Sequence, residues 1–322
     1  MNATPRTALV VGEALIDIVH RADGTIDEHP GGSPANVAIT LGRLGRPTRL
    51  LTWIGEDAYG RLVQRWLAGS NVELIGTSTG ASHTSLATAR LDVSGGATYD
   101  FDLEWRVPSV PQIPDEAVVV HAGSISATLD PGAENVLDLV TRARATATIT
   151  YDPNIRPAIV GGAEHTRERV EALVSLADVV KVSDEDLRWL YPGAEPRASA
   201  ADWHRRTGAP VVMTRGEQGA LAWTRGGLIE VLAPFVTVAD TVGAGDSFMG
   251  ALIDGLWSAD LLGAARRADL LAVEPSTMAT ILERCVRVAA ITVGRAGANP
   301  PRLAELAEAE AALAANPGAL EP

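Results

Sequence analysis

The sequence predicts an α/β protein with a mostly parallel central sheet and helices on both of its faces. The main observation is the regular alternation of short apolar strands with amphipathic helices from residue 117 to residue 232. A buried-strand pattern at the N-terminus and a helical pattern after residue 243 extend this architecture. Two alternating strands between residues 84 and 103 depart from it, so we expect them to form a small separate sheet.

Composition places the chain among ordinary globular proteins and excludes several classes of function. Its 322 residues are 46% hydrophobic and 21% charged, and we expect one domain over residues 1–322. The net charge of −13 argues against general binding to nucleic acid or to an anionic membrane. The single cysteine, Cys285, excludes a disulfide framework and favours the cytoplasm. We expect neither a signal peptide nor a membrane span, since no apolar run approaches roughly 20 residues.

The first third of the chain includes Thr7–Val19, which opens as a buried strand and then carries Glu13 and Asp17, and a polar tract with the turn signal Asp23-Gly24 follows. A short helix comes next, because Ser33 can cap it, Pro34 fits its first position and Gly45 suits its C′ position. Apolar alternation and helical spacing predict the other elements of this third, which are strands at Thr48–Ile54, Thr84–Val93 and Ala97–Leu103 and a helix at Asp57–Leu67.

The two strands around Ser94-Gly95-Gly96 predict a hairpin with one apolar face, on which Tyr99 and Phe101 lie. Together with the polar tract, this hairpin forms a candidate lid, with strands inserted at about 17–30 and 84–107. An exposed lid sheet with an apolar face can pair with a second copy, so we expect a homodimer through the lid.

The middle of the chain carries the alternation on which the fold class rests. The predicted strands are Ala117–His121, Ala147–Tyr151, Asp178–Val182 and Pro210–Thr214, and the predicted helices are Pro131–Arg144, Glu164–Leu176, Asp184–Leu190 and Ser199–Arg206. A hairpin of Gly219–Thr224 and Leu228–Leu232, with Arg225-Gly226-Gly227 between its strands, ends the sheet at one edge. After the helix that follows residue 243, the last predicted helices are Leu261–Leu271, Thr277–Val293 and Arg302–Ala314.

Polar residues follow several of the predicted strands. In open α/β sheets, ligands bind at the carboxyl ends of the strands, so we expect these residues to share one crevice. They are Gly12–Asp17, Gly123-Ser124, Asp152–Asn154, Ser183–Asp186, Thr214–Gly216 and Asp240–Asp246.

The most informative stretch is Asp240–Gly250, which reads DTVGAGDSFMG. Three small residues, Gly243, Ala244 and Gly245, lead into Asp246, after which the pattern is helical. Free backbone N–H groups and the helix dipole at such a start hold an anion. A carboxylate there can accept a proton from a group beside the anion, so we interpret the stretch as a phosphoryl-transfer site with Asp246 as base. On its own, GAGD fits an ordinary N-cap and turn equally well.

Two long stretches resemble the signatures of the PfkB (ribokinase-like) carbohydrate kinases. Residues 31–45, GGSPANVAITLGRLG, are similar to the first signature, and residues 240–252, DTVGAGDSFMGAL, to the second. Shorter stretches extend the resemblance over nearly the whole chain, namely GEALID near the start, DPNIR at 152–156, KVSDEDL at 181–187, MTRGEQGA at 213–220 and ITVGRAGANPP at 291–301. Within the family, GEALID, KVSDED and GRAGANPP are most similar to fructokinases.

The resemblance implies a ribokinase-like fold and a role for each matching residue. Asp246 would be the base that deprotonates a sugar hydroxyl, and Gly243, Ala244 and Gly245, with the N–H of Asp246, would form the anion hole. The residues that would hold the sugar are Asp17, Gly31, Gly32, Asn36 and, from the lid, Phe101. The residues that would bind the nucleotide are Lys181, Ser183, Thr214, Arg215, Gly216 and Gly219.

The resemblance also implies ATP and Mg²⁺ as cofactors and potassium as an activating cation. Family members carry Asn-x-x-Glu near the phosphates and magnesium, and here the motif reads Ser183-Asp184-Glu185-Asp186, which makes Asp186 the implied magnesium residue. Asp240 and Val242 match the positions that bind the monovalent cation. The partner segment ends in Asn299-Pro300-Pro301 and lacks a hydroxyl ligand.

These patterns together predict an ATP-dependent kinase that phosphorylates the terminal hydroxyl of a small sugar, with fructose as the expected substrate and fructose 6-phosphate as the product. The alternatives within this class are a 2-keto-3-deoxygluconate kinase, a ribokinase and a nucleoside kinase. From other classes, a catalytically inactive sugar-binding protein remains open. A Rossmann dehydrogenase is disfavoured, because GxGxxG does not follow the first strand.

Overall fold

The computed structural model describes residues 6–76, 78–91, 97–107 and 112–315. The strands are β1 (Thr7–Val11), β2 (Leu15–His20), β3 (Ile26–Gly31), β4 (Thr48–Leu51), β5 (Ile54–Gly55), β6 (Val72–Leu74), β7 (Thr79–Ala81), β8 (Leu86–Leu91), β9 (Ala97–Asp102), β10 (Ala117–Gly123), β11 (Thr148–Asp152), β12 (Val179–Ser183), β13 (Val211–Thr214), β14 (Ala220–Thr224) and β15 (Gly227–Val231). The helices are α1 (Ser33–Arg43), α2 (Ala58–Ala68), α3 (Gly132–Ala143), α4 (Pro157–Val160), α5 (Ala163–Leu176), α6 (Asp184–Leu190), α7 (Pro196–Thr207), α8 (Ala244–Ser258), α9 (Arg267–Leu271), α10 (Pro275–Val293) and α11 (Leu303–Ala315).

The central sheet has the order β15-β14-β13-β12-β11-β10-β1-β4-β6 within the described residues. The strands β13, β12, β11, β10, β1, β4 and β6 run parallel to one another. The hairpin of β14 and β15 adds an antiparallel edge beside β13. The chain passes from β1 to β4 on one side and returns to β10 on the other. The carboxyl ends of β1 and β10 therefore form a topological switch point, where such sheets bind ligands.

The core lies on both faces of this sheet, because side chains alternate along each strand. In β1, Ala8 and Val10 belong to one apolar cluster, which also takes in residues of α1, α8 and α10. Leu9 and Val11 belong to a second cluster, formed with α3, α5, α6 and α7. This two-layer burial confirms the predicted α/β class.

A second sheet has the order β3-β2-β8-β9. Phe101 of β9 is opposite Ala87 of β8, and the ring of Tyr99 stacks beside that of Phe101 with 6.2 Å between centroids. Tyr99 is 63% exposed, so part of this apolar face is open in the chain described here. The predicted turn at 94–96 lies outside the described residues.

Several predicted boundaries differ from the structure. The prediction of one helix over Leu261–Leu271 was wrong, since the backbone N–H of Gly263 donates to the Thr148 hydroxyl at 2.9 Å and the α-helix begins only at Arg267. Ser33 is not the N-cap of α1, because Gly32 takes that position without a side-chain bond. The sequence patterns also missed the short elements β6, β7 and α4. Among the described residues, no helix is both long enough and apolar enough to cross a membrane.

Candidate active site

The site lies where the N-termini of α1 and α8 meet beside the switch point. Asp246, in the first turn of α8, is only 5% exposed. Its Oδ1 accepts from the Ser33 hydroxyl at 2.7 Å and from Asn154 Nδ2 at 3.1 Å. Its Oδ2 accepts from Asn36 Nδ2 at 2.7 Å. Two segments far from Asp246 in sequence, α1 and the loop after β11, therefore hold its carboxylate.

The loop before Asp246 is shaped by Gly243, the N-cap of α8. Gly243 has φ +76°, a left-handed conformation that favours glycine, and a Cβ there would lie 2.5 Å from the Cβ of Ala298. Among the described residues, neither the Gly245 nor the Asp246 backbone N–H donates to a protein acceptor. These two N–H groups at a helix start can bind an anion. The Ala244 N–H donates to the Thr241 carbonyl at 3.3 Å, and the anion hole as a whole stays a prediction.

A buried ion pair lies directly beneath this loop. Lys181 Nζ is 2.9 Å from Asp152 Oδ2, and the two side chains are 3% and 1% exposed. A Cβ on Gly245 would lie 2.9 Å from Lys181 Nζ, so the lysine ammonium group packs against the loop at Gly245. Burial raises the pKa of Asp152 to about 6, although Lys181 opposes that shift. A cation in this place can meet the negative charge of an anion at the loop.

Two of the residues predicted to hold a sugar lie near Asp246. Asn36 donates to it, and its charge acts on Asp17. A Cβ on Gly31 would overlap the Asp17 carboxylate, so the missing side chain leaves room for it. Burial raises the pKa of Asp17 to about 6, with Arg156 opposing and Asp246 adding to the shift. Asn36 Oδ1 is buried without a hydrogen-bond partner among the described residues. An unsatisfied buried acceptor of this kind suits a ligand hydroxyl.

Glu13 is a buried acid that the sequence assignment did not include. It follows β1, and its Oε2 accepts from the backbone N–H of Ser126 at 3.2 Å. Burial raises its pKa to about 7, while hydrogen bonds, first that of Ser124, oppose this shift and the charge of Asp246 adds to it. The sequence placed Glu13 and Asn154 among the polar residues expected to share the crevice but gave them no role, and it did not assign Ser33 to the site. Their only sequence signal was position, at a helix start or after a strand.

Phe101 lines a cavity whose lining does not include Asp246. This cavity has a volume of about 510 Å³ and lies between the lid and the residues around α3 and α4. Its lining comes from Tyr99, Asp100, Phe101, Leu103, Glu104, Trp105, Arg106, Leu129, Asp130, Pro131, Ala158 and Ile159. Neither Asp17 nor Asp246 is among these residues, so the sugar role of Phe101 stays a prediction.

The predicted nucleotide residues follow β12 and β13, which are neighbours in the sheet. Ser183 and Thr214 are opposite each other in this register. A Cβ on Gly219 would overlap the carbonyl oxygen of Val231, so the chain passes closely there. The Arg215 side chain extends along the hairpin of β14 and β15, where its Nη2 donates to Glu230 Oε1 at 2.7 Å. Gly216 begins the short turn between β13 and β14.

Asp186 and Asp152 are the candidate residues for the implied magnesium site. Asp186 accepts from the backbone N–H of Ile155 at 2.9 Å and of Ser183 at 3.2 Å, and the Ser183 hydroxyl accepts from the Asp186 N–H. Asp152 Oδ1 is buried without a partner among the described residues. The described residues hold no group of three or more acidic, His or Cys side chains that would cage a metal. The donor set fits an ion held mainly by phosphates and water, as Mg²⁺ usually is.

The predicted cation residues Asp240 and Val242 contact each other. Asp240 Oδ1 accepts from the Val242 N–H at 3.0 Å, and Asp240 Oδ2 accepts from the Gly297 N–H at 2.9 Å. Asp240 thus links the loop before α8 to the segment that follows α10. Potassium binding beside them stays a prediction.

The fold and the site define a class of protein. A helix start with free N–H groups and a buried carboxylate beside it, both at the switch point of a doubly wound sheet, are parts that phosphoryl transfer to a hydroxyl uses.

The comparison with known families names the class: residues 6–305 match the pfkB family carbohydrate kinases, and the chain belongs to that family. A fructokinase from Rhizobium leguminosarum bv. trifolii is 35% identical over 273 residues, which cover 81% of this chain and 83% of the relative. A probable fructokinase from Arabidopsis thaliana is 33% identical over 264 residues, 75% of this chain and 79% of the relative.

Solved structures agree with this assignment and give the fold its name. A fructokinase from Xylella fastidiosa superposes with a TM-score of 0.83 at 29% identity, over 95% of this chain and 98% of the other. An aminoimidazole riboside kinase from Salmonella enterica reaches 0.78 at 22% identity, over 94% and 99% of the two chains. The fold is therefore ribokinase-like, and because it carries different substrates, the site has to select among them.

Proposed function

We propose that this protein is an ATP-dependent fructokinase that transfers the γ-phosphoryl group to the terminal hydroxyl of fructose and gives fructose 6-phosphate. The observation that carries the proposal is the position of Asp246. Its buried carboxylate lies between the Ser33 and Asn36 side chains and the two free N–H groups at the start of α8. Relatives named fructokinase and a structural neighbour solved with ATP at 27% identity support both substrates.

The chemistry follows from this arrangement. Asp246 accepts the proton of the fructose hydroxyl as the oxygen forms its bond to the γ-phosphorus, and the bond from phosphorus to the ADP oxygen breaks. The N–H groups of Gly245 and Asp246, with Lys181, offset the negative charge on the transferring group. Mg²⁺ supplies further neutralisation of the phosphates when bound, and Asp186 and Asp152 are the residues we propose to face it. Potassium beside Asp240 and Val242 is the proposed monovalent cation.

Charge on the sugar side favours a neutral sugar over an acidic one. Glu13 and Asp17 both have raised pKa values, mainly because of burial, and the charge of Asp246 adds to each shift. A substrate carboxylate would add a further negative charge to this group, which costs free energy in a buried site. This supports fructose over 2-keto-3-deoxygluconate.

The test is a coupled ADP-release assay over fructose, ribose, 2-keto-3-deoxygluconate, fructose phosphates and adenosine. We expect fructose to have the highest kcat/KM, and Asp17→Ala to raise the KM for fructose much more than the KM for ATP. Turnover of another sugar at a higher kcat/KM would replace fructose. Absence of turnover with every sugar would favour an inactive sugar-binding protein.

Two further parts of the proposal concern the surroundings of the enzyme. We place it in the cytoplasm, where ATP is available and a single cysteine stays reduced. We also propose a homodimer through the lid sheet, because Tyr99 leaves an apolar side chain open there. Size-exclusion chromatography with light scattering of the protein and of Tyr99→Ser tests the dimer.

A further inference from the structure

Ser33 and Asn154 form a closed triangle of hydrogen bonds with Asp246. Asn154 Nδ2 donates to Ser33 Oγ at 2.6 Å and to Asp246 Oδ1 at 3.1 Å, and Ser33 Oγ donates to the same Oδ1 at 2.7 Å. Because the hydroxyl of Ser33 accepts from the amide, its own proton points at Asp246. Both donors are therefore committed to one carboxylate oxygen.

Arg156 determines which way the Asn154 amide faces. Its Nη1 donates to Asn154 Oδ1 at 2.7 Å. Since a guanidinium only donates, the amide oxygen has to face Arg156 and the amide N–H groups face Asp246. The backbone of Asn154 has φ +37°, a left-handed value that asparagine tolerates better than most residues. The left-handed backbone and the hydrogen bond from Arg156 together fix the direction of the Asn154 amide.

We propose that Ser33 and Asn154 are positioning residues for the base, and that Arg156 orients Asn154. An ionised carboxylate has about four acceptor positions, and Ser33, Asn154 and Asn36 fill three of them. One acceptor position remains, and it fixes where the sugar hydroxyl must donate its proton. This inference rests on the proposed function, in which Asp246 takes that proton.

Every donor of this network bonds to the Asp246 carboxylate. The charge of Asp246 also acts on Glu13, Asp17, Asp152 and Lys181, which belong to other elements. These groups are unchanged in the variants below. A lower kcat therefore reports the lost donor.

The experiment compares Ser33→Ala and Asn154→Gly with the unchanged enzyme. Glycine is the better replacement at residue 154, since it removes the amide while keeping the left-handed backbone. We expect each variant to lower kcat by roughly 10–100-fold, with the KM for ATP within about twofold.

Two control variants separate positioning from general damage. Ser33→Thr keeps the hydroxyl and should retain most of kcat. Asn135→Ala removes an amide that donates to the Val107 carbonyl at 2.6 Å rather than to Asp246, and should leave kcat unchanged. Circular dichroism identifies a variant that fails to fold. If either Ser33→Ala or Asn154→Gly fails to fold, the kinetics of the other variant test the positioning role.

The outcomes distinguish this inference from the proposed function. A loss of kcat in Ser33→Thr as large as that in Ser33→Ala would overturn the positioning role, as would wild-type kcat in both Ser33→Ala and Asn154→Gly. If Asp246→Asn itself keeps full turnover, the proposed function fails and this inference fails with it. If Asp246 is required while Ser33 and Asn154 are not, only this inference is lost.

Discussion

The helices α6 and α8 begin with the same arrangement and use it in opposite ways. Each has an aspartate as its third residue, Asp186 in α6 and Asp246 in α8. In α6 the N-cap is Ser183, and its hydroxyl and the Asp186 carboxylate form a reciprocal capping box. In α8 the N-cap is Gly243, which has no side chain to offer, and Asp246 bonds to α1 and to Asn154 instead.

This difference shows how one residue decides the availability of a helix start. The serine N-cap of α6 accepts from the Asp186 N–H, and the Asp186 carboxylate accepts from the Ser183 N–H, so this acid and its own N–H are both engaged at the start of α6. A glycine N-cap leaves the N–H groups of α8 free for an anion and the acid free for chemistry. The largest expected effects therefore concern α8 and the smallest concern α6.

The largest effect is expected for Asp246→Asn. The amide keeps the shape of the side chain but cannot accept a proton, so kcat should fall at least about 10²-fold while sugar binding persists. The matched control is Asp186→Asn at the same position of α6, which should keep far more of its kcat at saturating Mg²⁺. Steady-state kinetics measure both variants, and comparable losses in the two would remove the distinction between the helices.

The second effect is expected for Gly243→Ser, which gives α8 the N-cap that α6 has. The new Cβ meets φ +76° and the Ala298 side chain, so we expect a loss of roughly 2–4 kcal/mol in unfolding free energy together with a loss of activity. Gly193→Ser is the control, because its φ is +86° but a Cβ would meet no described atom within 4 Å. Its loss should be about 1 kcal/mol. Urea denaturation that finds equal losses would contradict the close packing at Gly243.

The third effect concerns pH and the buried acid Glu13, which contributes to the charge around Asp246. The folded protein raises its pKa from 4.5 to about 7, so the carboxyl costs stability increasingly as pH rises through this window. Glu13→Gln should therefore increase the unfolding free energy by on the order of 2 kcal/mol near pH 8 and by little near pH 5.

Denaturant titrations at the two pH values measure this difference, with Glu134→Gln on the exposed face of α3 as the control. A gain at pH 5 as large as that at pH 8 would show that burial of the Glu13 charge is not its source.

The smallest effect is expected for Ser183→Ala. It removes one half of the capping box of α6 and should lower the unfolding free energy by about 1 kcal/mol. Thermal denaturation measures the change, and Ser175→Ala, an exposed serine near the end of α5, is the control. Equal melting temperatures for the two variants would mean that the box contributes little to α6.

Much of the fold could be predicted because its signals are local. The alternation of apolar strands and helices gave the parallel sheet, and small residues before Asp246 gave the anion site. Short elements such as β6 and α4 were missed, since three or four residues carry too little periodicity. The cap of α1 was misplaced by one residue, because Ser33 and Gly32 are both acceptable N-caps and the bond to Asp246 decides between them.

The sequence by itself determined the class of the protein, the position of the anion loop and the acid within it, because these depend on residue types at fixed local spacing. The tertiary structure alone decided what surrounds that acid. Ser33, Asn154 and Asp246 are separated by 92 to 213 residues in sequence and meet within 3.1 Å in space. Such contacts depend on how the strands are ordered in the sheet, and no local pattern records that order.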